Sequence, residues 1–463
     1  MAIRALAFLG LACLATGCAL GPNYVKPEVH IPADWESRID ASGVWPDARW
    51  WQGFRSGELD RLIGEATENN LDLNAAYARI LQAQAQAKIA GAALLPSLNT
   101  SGGFDRNWAT RAAARGGTSV VVSSNYQASI GASYQVDLFG ANEADRQSAL
   151  TRLEASRYDL ETVAITLYSD VSSTYFQVLS LRDRLRLAGE TLRIATDVLA
   201  VLERRRAEGL ISDLEVSQQR SAVASQRANL VSLQQAERVA LDALAVLLGR
   251  NPQGFAVDGR SLADLTLPGL AAGLPAGLLQ RRPDIRRAEA NLRAAGLDTI
   301  GARAARFPSL DLSAQRGWQG ATLPALFSAS GLSYGFGASL AAPLFQGGRL
   351  EGGEDAARAR FQELMETYRA VILAAFRDTE DALSATDTSD RRLELAREAL
   401  DQAREAFRIV EARFLAGSVD FINVLDAQRT VFQANDAVVQ AALDRYTAVV
   451  NLYTAVGGGW DGV

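Results

Sequence analysis

Few residues in this chain are placed to do chemistry. His30 is the single histidine, and Cys13 and Cys18 are the two cysteines, so no His/Cys set offers itself to a metal or as a base beside a nucleophile. There is no phosphate-cradling loop after a strand and no Gly-x-Ser-x-Gly elbow. No catalytic constellation, cofactor or metal site is therefore expected. Cys18 is the exception. Arg4 and a short apolar stretch, Ala5 to Leu14, precede Ala15-Thr16-Gly17-Cys18. The stretch is too short to span a bilayer and reads as a cleaved signal. Small residues before a cysteine match the cleavage site of a bacterial lipoprotein, in which Cys18 becomes the acylated first residue. Acyl chains contribute about 0.8 kcal/mol per buried methylene, enough together to hold the terminus in a membrane. Ala19, not Asp, follows the cysteine, so nothing retains such a lipoprotein at the inner membrane.

The other charged groups of interest flank two glycines, Gly209 and Gly417, 208 residues apart. Arg204, Arg205 and Arg206 run up to the first, where cations favour the C-terminal end of a helix dipole. Ser212 and Asp213 follow the first turn, and Asp420 the second, as candidate helix N-caps, and Phe421 lies beside Asp420. Glycine allows each turn to be tight.

Long helices position these turns. Leu185, Ala188, Leu192, Ala195, Leu199 and Leu202 approach Gly209; Leu393, Ala396, Leu400, Ala403, Phe407 and Val410 approach Gly417. The spacing alternates three and four, the seam of a coiled coil. A second long helical pattern follows each glycine, so one unit has been duplicated in tandem. Upstream, Asp72, Ala76, Ala83 and Pro96-Ser97-Leu98 match Asp284, Ala288, Ala295 and Pro308-Ser309-Leu310 at an offset of 212.

After each Pro-Ser-Leu the period changes to two. Tyr126, Ala128, Ile130, Ala132, Tyr134, Val136 and Leu138 alternate with Gln127, Ser129, Gly131, Ser133, Gln135 and Asp137, and residues 332–344 repeat the pattern. Apolar outside and polar inside is the alternation of a transmembrane barrel. Trp108 and Trp318, 210 residues apart, stand at the far ends as membrane-interface aromatics. Four strands cannot close a barrel, and an open edge in lipid is costly. Strands must therefore be shared between chains, eight from two or twelve from three, and the alternation does not choose between these.

The expected layout is a signal peptide at 1–17, a lipid-anchored arm at 18–55 and a first repeat at 56–250. That repeat holds a β-hairpin near 97–139 and a helical hairpin near 141–248. A linker follows at 251–282. The second repeat, at 283–456, has its β-hairpin near 309–345 and its helical hairpin near 350–455, and a tail ends the chain at 457–463. Trp35, Trp45, Trp50 and Trp51 predict an arm packed on a body, and acids four or so residues from arginine read as solvated helix faces. The formal charge of −6 gives no electrostatic case for nucleic acid.

Cys18-Ala19-Leu20-Gly21-Pro22-Asn23-Tyr24, Trp50-Trp51-Gln52-Gly53-Phe54, Asn70-Leu71-Asp72-Leu73, Arg281-Arg282-Pro283-Asp284-Ile285, Leu425-Asp426-Ala427-Gln428-Arg429 and Gly457-Gly458-Gly459-Trp460 occur in this order. Together they resemble the outer-membrane efflux proteins, the TolC-like channels, and most closely the lipoprotein branch serving tripartite drug efflux. The resemblance implies a mostly α fold with a transmembrane β part: a homotrimer sharing one 12-stranded outer-membrane β-barrel, four strands per chain, above a long helical tunnel in the periplasm. It implies a passive exit duct working with a periplasmic adaptor and an inner-membrane RND-type pump, and no enzyme. It makes the two turns a periplasmic mouth closed at rest. Asp213 and Asp420 would then ring the gate, Phe421 would offer an apolar plug instead, Gly209 and Gly417 would be hinges, and Arg204, Arg205 and Arg206 would meet the adaptor. The exit duct of a protein-secretion system and a lipid-anchored coiled-coil scaffold or adhesin without a pore are the alternatives.

Overall fold

The structure, a computed structural model, describes residues 26–36, 47–112, 118–269 and 275–458. It is dominated by helices in matched pairs. A 3-10 turn, Trp50–Phe54, leads into α1 (Gly57–Asn69) and α2 (Leu71–Ala92). Strands β1 (Ser97–Ala112) and β2 (Thr118–Val136) precede α3 (Ala141–Ala207) and α4 (Asp213–Leu247). After a connecting stretch come α5 (Pro275–Arg281), α6 (Pro283–Ala304), β3 (Ser309–Gly320) and β4 (Leu332–Ala341). The chain ends in α7 (Arg349–Leu415) and α8 (Phe421–Ala455). The duplication is one of length as well as pattern. α3 and α7 both have 67 residues, α4 and α8 both 35, α2 and α6 both 22. At about 1.5 Å per residue, α3 and α7 each run about 100 Å.

The chain divides into two compact units, each built from both repeats. One holds residues 26–28, 79–156 and 287–368 and contains the sheet. All four strands are antiparallel, in the order β1-β2-β3-β4. The register joins Leu98, Ala132, Ala314 and Phe336 in one row and Thr100, Ile130, Arg316 and Tyr334 in another. Because side chains alternate in a strand, every even-numbered position falls on one face, which is largely apolar. Odd positions carry Ser, Asn, Gln and Gly with Asp105 and Asp311, and Ser97 and Ser133 hydroxyls meet at 2.7 Å. Among the described residues, most of the apolar face is left uncovered: Leu98 is 74% exposed and Phe336 87%. Soluble hairpins would seat that face on a core. Ser97 lies opposite Ser133, which lies opposite Ser313, four residues beyond the start of β3. Such stagger is what closing a barrel requires.

Beside the sheet in this unit, Glu354 is buried between Arg306 (2.7 Å), Arg358 (2.5 Å) and Arg303 (3.4 Å). The hydrogen bond from Arg306, with help from Arg358, holds its carboxyl below the ordinary range against the opposing effect of desolvation. Arg293 pairs with Glu154 and the Ser148 hydroxyl donates to Asp298, joining α6 to α3. Lys26 reaches Glu289 at 2.8 Å and lies 5.9 Å from the centre of the Tyr368 ring.

The second unit holds residues 29–78, 157–286 and 369–458. Its core is aromatic. Trp50 stacks on Tyr453 at 5.1 Å, Trp51 tilts on Tyr168, and Phe54 and Tyr446 meet Phe176. Trp35 packs edge-on against Phe376. The arm tryptophans at 35, 50 and 51 are therefore packed on a body; Trp45 lies outside the described residues.

The stretch after α4 is pinned by buried polar groups. The Glu58 carboxylate accepts from the backbone N–H groups of Asp258 and Gly259, both at 2.7 Å, and from the Tyr175 hydroxyl at 2.9 Å. Burial, above all, pushes the Tyr175 hydroxyl up to about 12. The Asp183 carboxylate accepts from the Ser261 hydroxyl and the Leu262 N–H. The Tyr446 and Tyr453 hydroxyls donate to the carbonyls of Leu265 and Gly269.

Candidate functional site

The two helical turns end in related ways. Gly209 and Gly417 adopt φ of +76° and +72°, the left-handed conformation that closes a helix C-terminus. At the first, the N–H of Leu210 reaches the Arg205 carbonyl at 2.9 Å; at the second, Ser418 reaches Arg413 at 3.0 Å. Gly249 and Gly457, again 208 residues apart, end α4 and α8 in the same way.

The return helices begin differently. Ser212, not Asp213, is the N-cap of α4, in a capping box with Glu215. Of the two caps expected here, Ser212 holds the role and that of Asp213 is corrected. A hydroxyl one residue earlier fills it, and the Asp213 carboxylate instead pairs with Arg206 across the turn. Asp420 does hold the N-cap position of α8, but its exposed carboxylate makes no capping hydrogen bond.

Phe421 departs from the plug expectation. Its side chain is buried, 3% exposed, with Leu202, Val216 and Val424, and its ring lies 5.3 Å from that of Phe414. Those partners come from α3, α4, α7 and α8, so both hairpin ends share one small core. Burial within the chain leaves the ring no face to project. The basic run stays at the surface but is engaged within the chain. Arg205 lies 5.7 Å from the centre of the Phe414 ring, Arg206 is held by Asp213, and Arg204 Nε donates to its own helix at the Ala200 carbonyl. Leu210 and Leu214 at the first turn, and Leu415 and Ile422 at the second, stay exposed.

At the sheet, Trp108 and Trp318 are on the apolar face but not on one register row. Trp318 pairs with Ala128, which pairs with Gly102, six residues short of Trp108. Measured from the strand starts at Ser97 and Ser309, they stand eleven and nine residues along. The stagger of the strands separates them in the register. Trp318 is half-covered by its own hairpin, with Phe327 at 6.1 Å, whereas Trp108 is 65% exposed.

Several ion pairs could not be read from spacing along one helix. Arg184 grips Asp436, Arg220 meets Glu203 at 2.7 Å, and Arg392 meets Asp444 at 2.8 Å, each between two helices. Pairs such as Arg193 with Asp197 are the expected solvated faces; these also keep solvent contact, but they join two helices. Glu58 gave no long-range signal either, nor did Glu354 toward Arg303 and Arg306, because these partners are distant in sequence; only Arg358, four residues on in the same helix, was readable from spacing. Cys18 lies outside the described residues. Among the described residues, no group of three or more His, Cys, Asp and Glu side chains is arranged to hold a metal. No described helix is long and apolar enough to cross a membrane, which says nothing of the strands.

Residues 62–250 and 274–458 match the family model described as outer membrane efflux protein. The chain is 42% identical to the pyoverdine export outer membrane protein OpmQ of Pseudomonas aeruginosa, over 99% of this chain and 98% of that protein. It is 31% identical to the cation efflux system protein CusC of Escherichia coli O157:H7, over 97% of each. Among solved structures, the outer-membrane channel OprN superposes with a TM-score of 0.87 at 26% identity, covering 96% of this chain and all of that one. With its helices written twice and its four-stranded, two-faced sheet, the chain belongs to the outer membrane efflux protein family and is an outer-membrane channel of the efflux type.

Proposed function

We propose that three copies of this chain close one 12-stranded barrel and act as the passive exit duct for an inner-membrane pump, reached through a periplasmic adaptor. The observation that carries this is the sheet. One face is uncovered and apolar, the other is polar, and β1 and β4 are open edges that lipid cannot satisfy. Pairing β1 of one copy with β4 of the next removes every edge. The polar face then lines the lumen with small hydroxyl, amide and glycine groups, suited to bulky polar cargo. By analogy with OpmQ, that cargo is a pyoverdine-like compound.

The mouth lies at the two turns. Asp420, exposed at the start of α8, is the gate carboxylate, and Asp213 supports it through Arg206. Phe421 holds the shape of the gate from within the chain. Gly209 and Gly417 are the hinges. The adaptor meets the exposed Leu210, Leu214, Leu415 and Ile422, with Arg204 at their margin.

Acylated Cys18 ties the arm to the membrane. It precedes Lys26 by eight residues, which span at most about 28 Å when extended. Lys26 is held beside Tyr368, and the 19 residues of α7 back to Arg349 also measure about 28 Å.

The test is replacement of OpmQ by this chain in Pseudomonas aeruginosa, with cross-linking of the purified protein and export of pyoverdine to the medium as readouts. A trimer that restores export is expected. A monomer or dimer would overturn the shared barrel, and a trimer that inserts without restoring export would overturn the assignment of cargo.

A further inference from the structure

Two residues break the apolar face of the sheet. Arg106 and Arg316 occupy even positions among Leu, Ala, Tyr, Phe and Trp. They are 210 residues apart, as are Trp108 and Trp318, so each copy carries Arg-x-Trp on that face. The contact is repeated too. Arg106 lies 5.5 Å from the centre of the Trp108 ring, and Arg316 lies 4.8 Å from Trp318 and 5.5 Å from Tyr334. No Asp or Glu occupies an even position in any of the four strands; Asp105 and Asp311 belong to the other face. Both arginines are exposed. An exposed pair of cations on an apolar face, with no acid on that face, asks for an anion from outside the chain.

Their height says which anion. Arg106 is nine residues from Ser97 and Arg316 seven from Ser309. With about 3.3 Å per residue and a tilt of about 40°, they stand about 23 and 18 Å above the starts of their own strands, toward the hairpin ends, where the apolar band of such a barrel is about 25 Å tall. A charge costs most at the middle of the hydrocarbon and little near its edge, and a long arginine stem reaches the headgroup level. A guanidinium lying over a ring still presents its N–H edge, and that fork matches two oxygens of one phosphate.

We propose that Arg106 and Arg316, each held on its tryptophan, bind the phosphate groups of anionic lipids in the outer leaflet, two sites per chain around the rim of the barrel. The proposal rests on the barrel reading above.

The experiment uses the full-length acylated protein in detergent, with native mass spectrometry after exposure to diphosphorylated lipid A or to its dephosphorylated counterpart. The wild type should retain the phosphorylated form preferentially. Arg106→Gln with Arg316→Gln should lower that retention by about tenfold or more. Lysine at both positions should keep part of it, since the charge stays and the fork is lost. Arg111→Gln, on the other face of β1, should change nothing. Equal retention of both lipids, or a double variant that retains lipid like the wild type, overturns the proposal. Insertion is checked separately by conductance in planar bilayers. Failure of the wild type to insert would overturn the barrel reading and this proposal with it, whereas insertion without phosphate preference overturns this proposal alone.

Discussion

Arg184 and Asp436 meet as a two-pronged ion pair, Nε at 2.6 Å and Nη2 at 3.2 Å, although 252 residues separate them. The pair joins α3 of the first repeat to α8 of the second. Both side chains keep solvent contact, 26% and 51% exposed, so the pair contributes less than about 1 kcal/mol to stability. Asp436→Asn should therefore leave the unfolding midpoint nearly unchanged. If helices of the two repeats move apart when the duct opens, the same variant should raise single-channel conductance. Unchanged conductance would remove this pair from the gate.

Phe421 and Asp420 are neighbours with opposite roles. Phe421→Ala removes a buried ring from the core shared by the two turns and should cost about 3–5 kcal/mol. Asp420→Ala removes an exposed carboxylate with no capping bond and should cost under about 0.5 kcal/mol. Denaturant unfolding compares them directly. In planar bilayers Asp420→Ala should change cation selectivity, and Phe421→Ala should raise the open probability by loosening the turn.

Glycine is needed for different reasons at Gly209 and Gly249. A Cβ at Gly209 meets open space, so Gly209→Ala should cost only the left-handed backbone conformation, about 1–2 kcal/mol. A Cβ at Gly249 would sit 2.3 Å from the Asn69 carbonyl oxygen as well. Gly249→Ala should therefore be clearly worse in thermal melts, and equal effects would show that the approach of α1 to the end of α4 relaxes easily.

Glu354 makes stability depend on acid. Its folded carboxyl titrates below its ordinary 4.5 because Arg306 donates to it. Its contribution is complete above that value and is lost as pH falls through the lower, folded one. Melting temperatures between neutral pH and about pH 3 should fall more steeply for the wild type than for Glu354→Gln. The variant should be less stable at pH 7, with the two curves converging in acid. Parallel curves would mean that the three arginines do not hold the charged form.

Repetition and period made the fold legible in the sequence. Alternation over residues 126–138 placed an apolar face that the register then assembled, and the 208-residue offset between Gly209 and Gly417 fixed matching helix ends. The site was legible by position and less so by role. Asp213 lies where a cap is common, but Ser212 precedes it and wins the cap because its hydroxyl reaches the Leu214 N–H. Phe421 follows a turn, where exposure is usual, yet it is drawn into a core made by four helices. Trp108 and Trp318 match in sequence, while strand stagger, a property of pairing, separates their rows. The grips of Glu58 on residues 258 and 259 and of Arg184 on Asp436 carry no periodic trace at all.

The equal lengths of α3 and α7 set a tolerance on how this molecule can change. Both helices must deliver their ends to the one small core that holds Leu202 and Phe421. Deleting a single residue from either would pull its end back by about 1.5 Å and swing it by about 100°. Leu202 or Phe414 would then leave that core. Removing seven residues from both, and from their return helices, keeps the phase of every seam. Such a duct is free to shorten only in whole heptads taken from both repeats together, like a ladder whose two rails must be cut at the same rung.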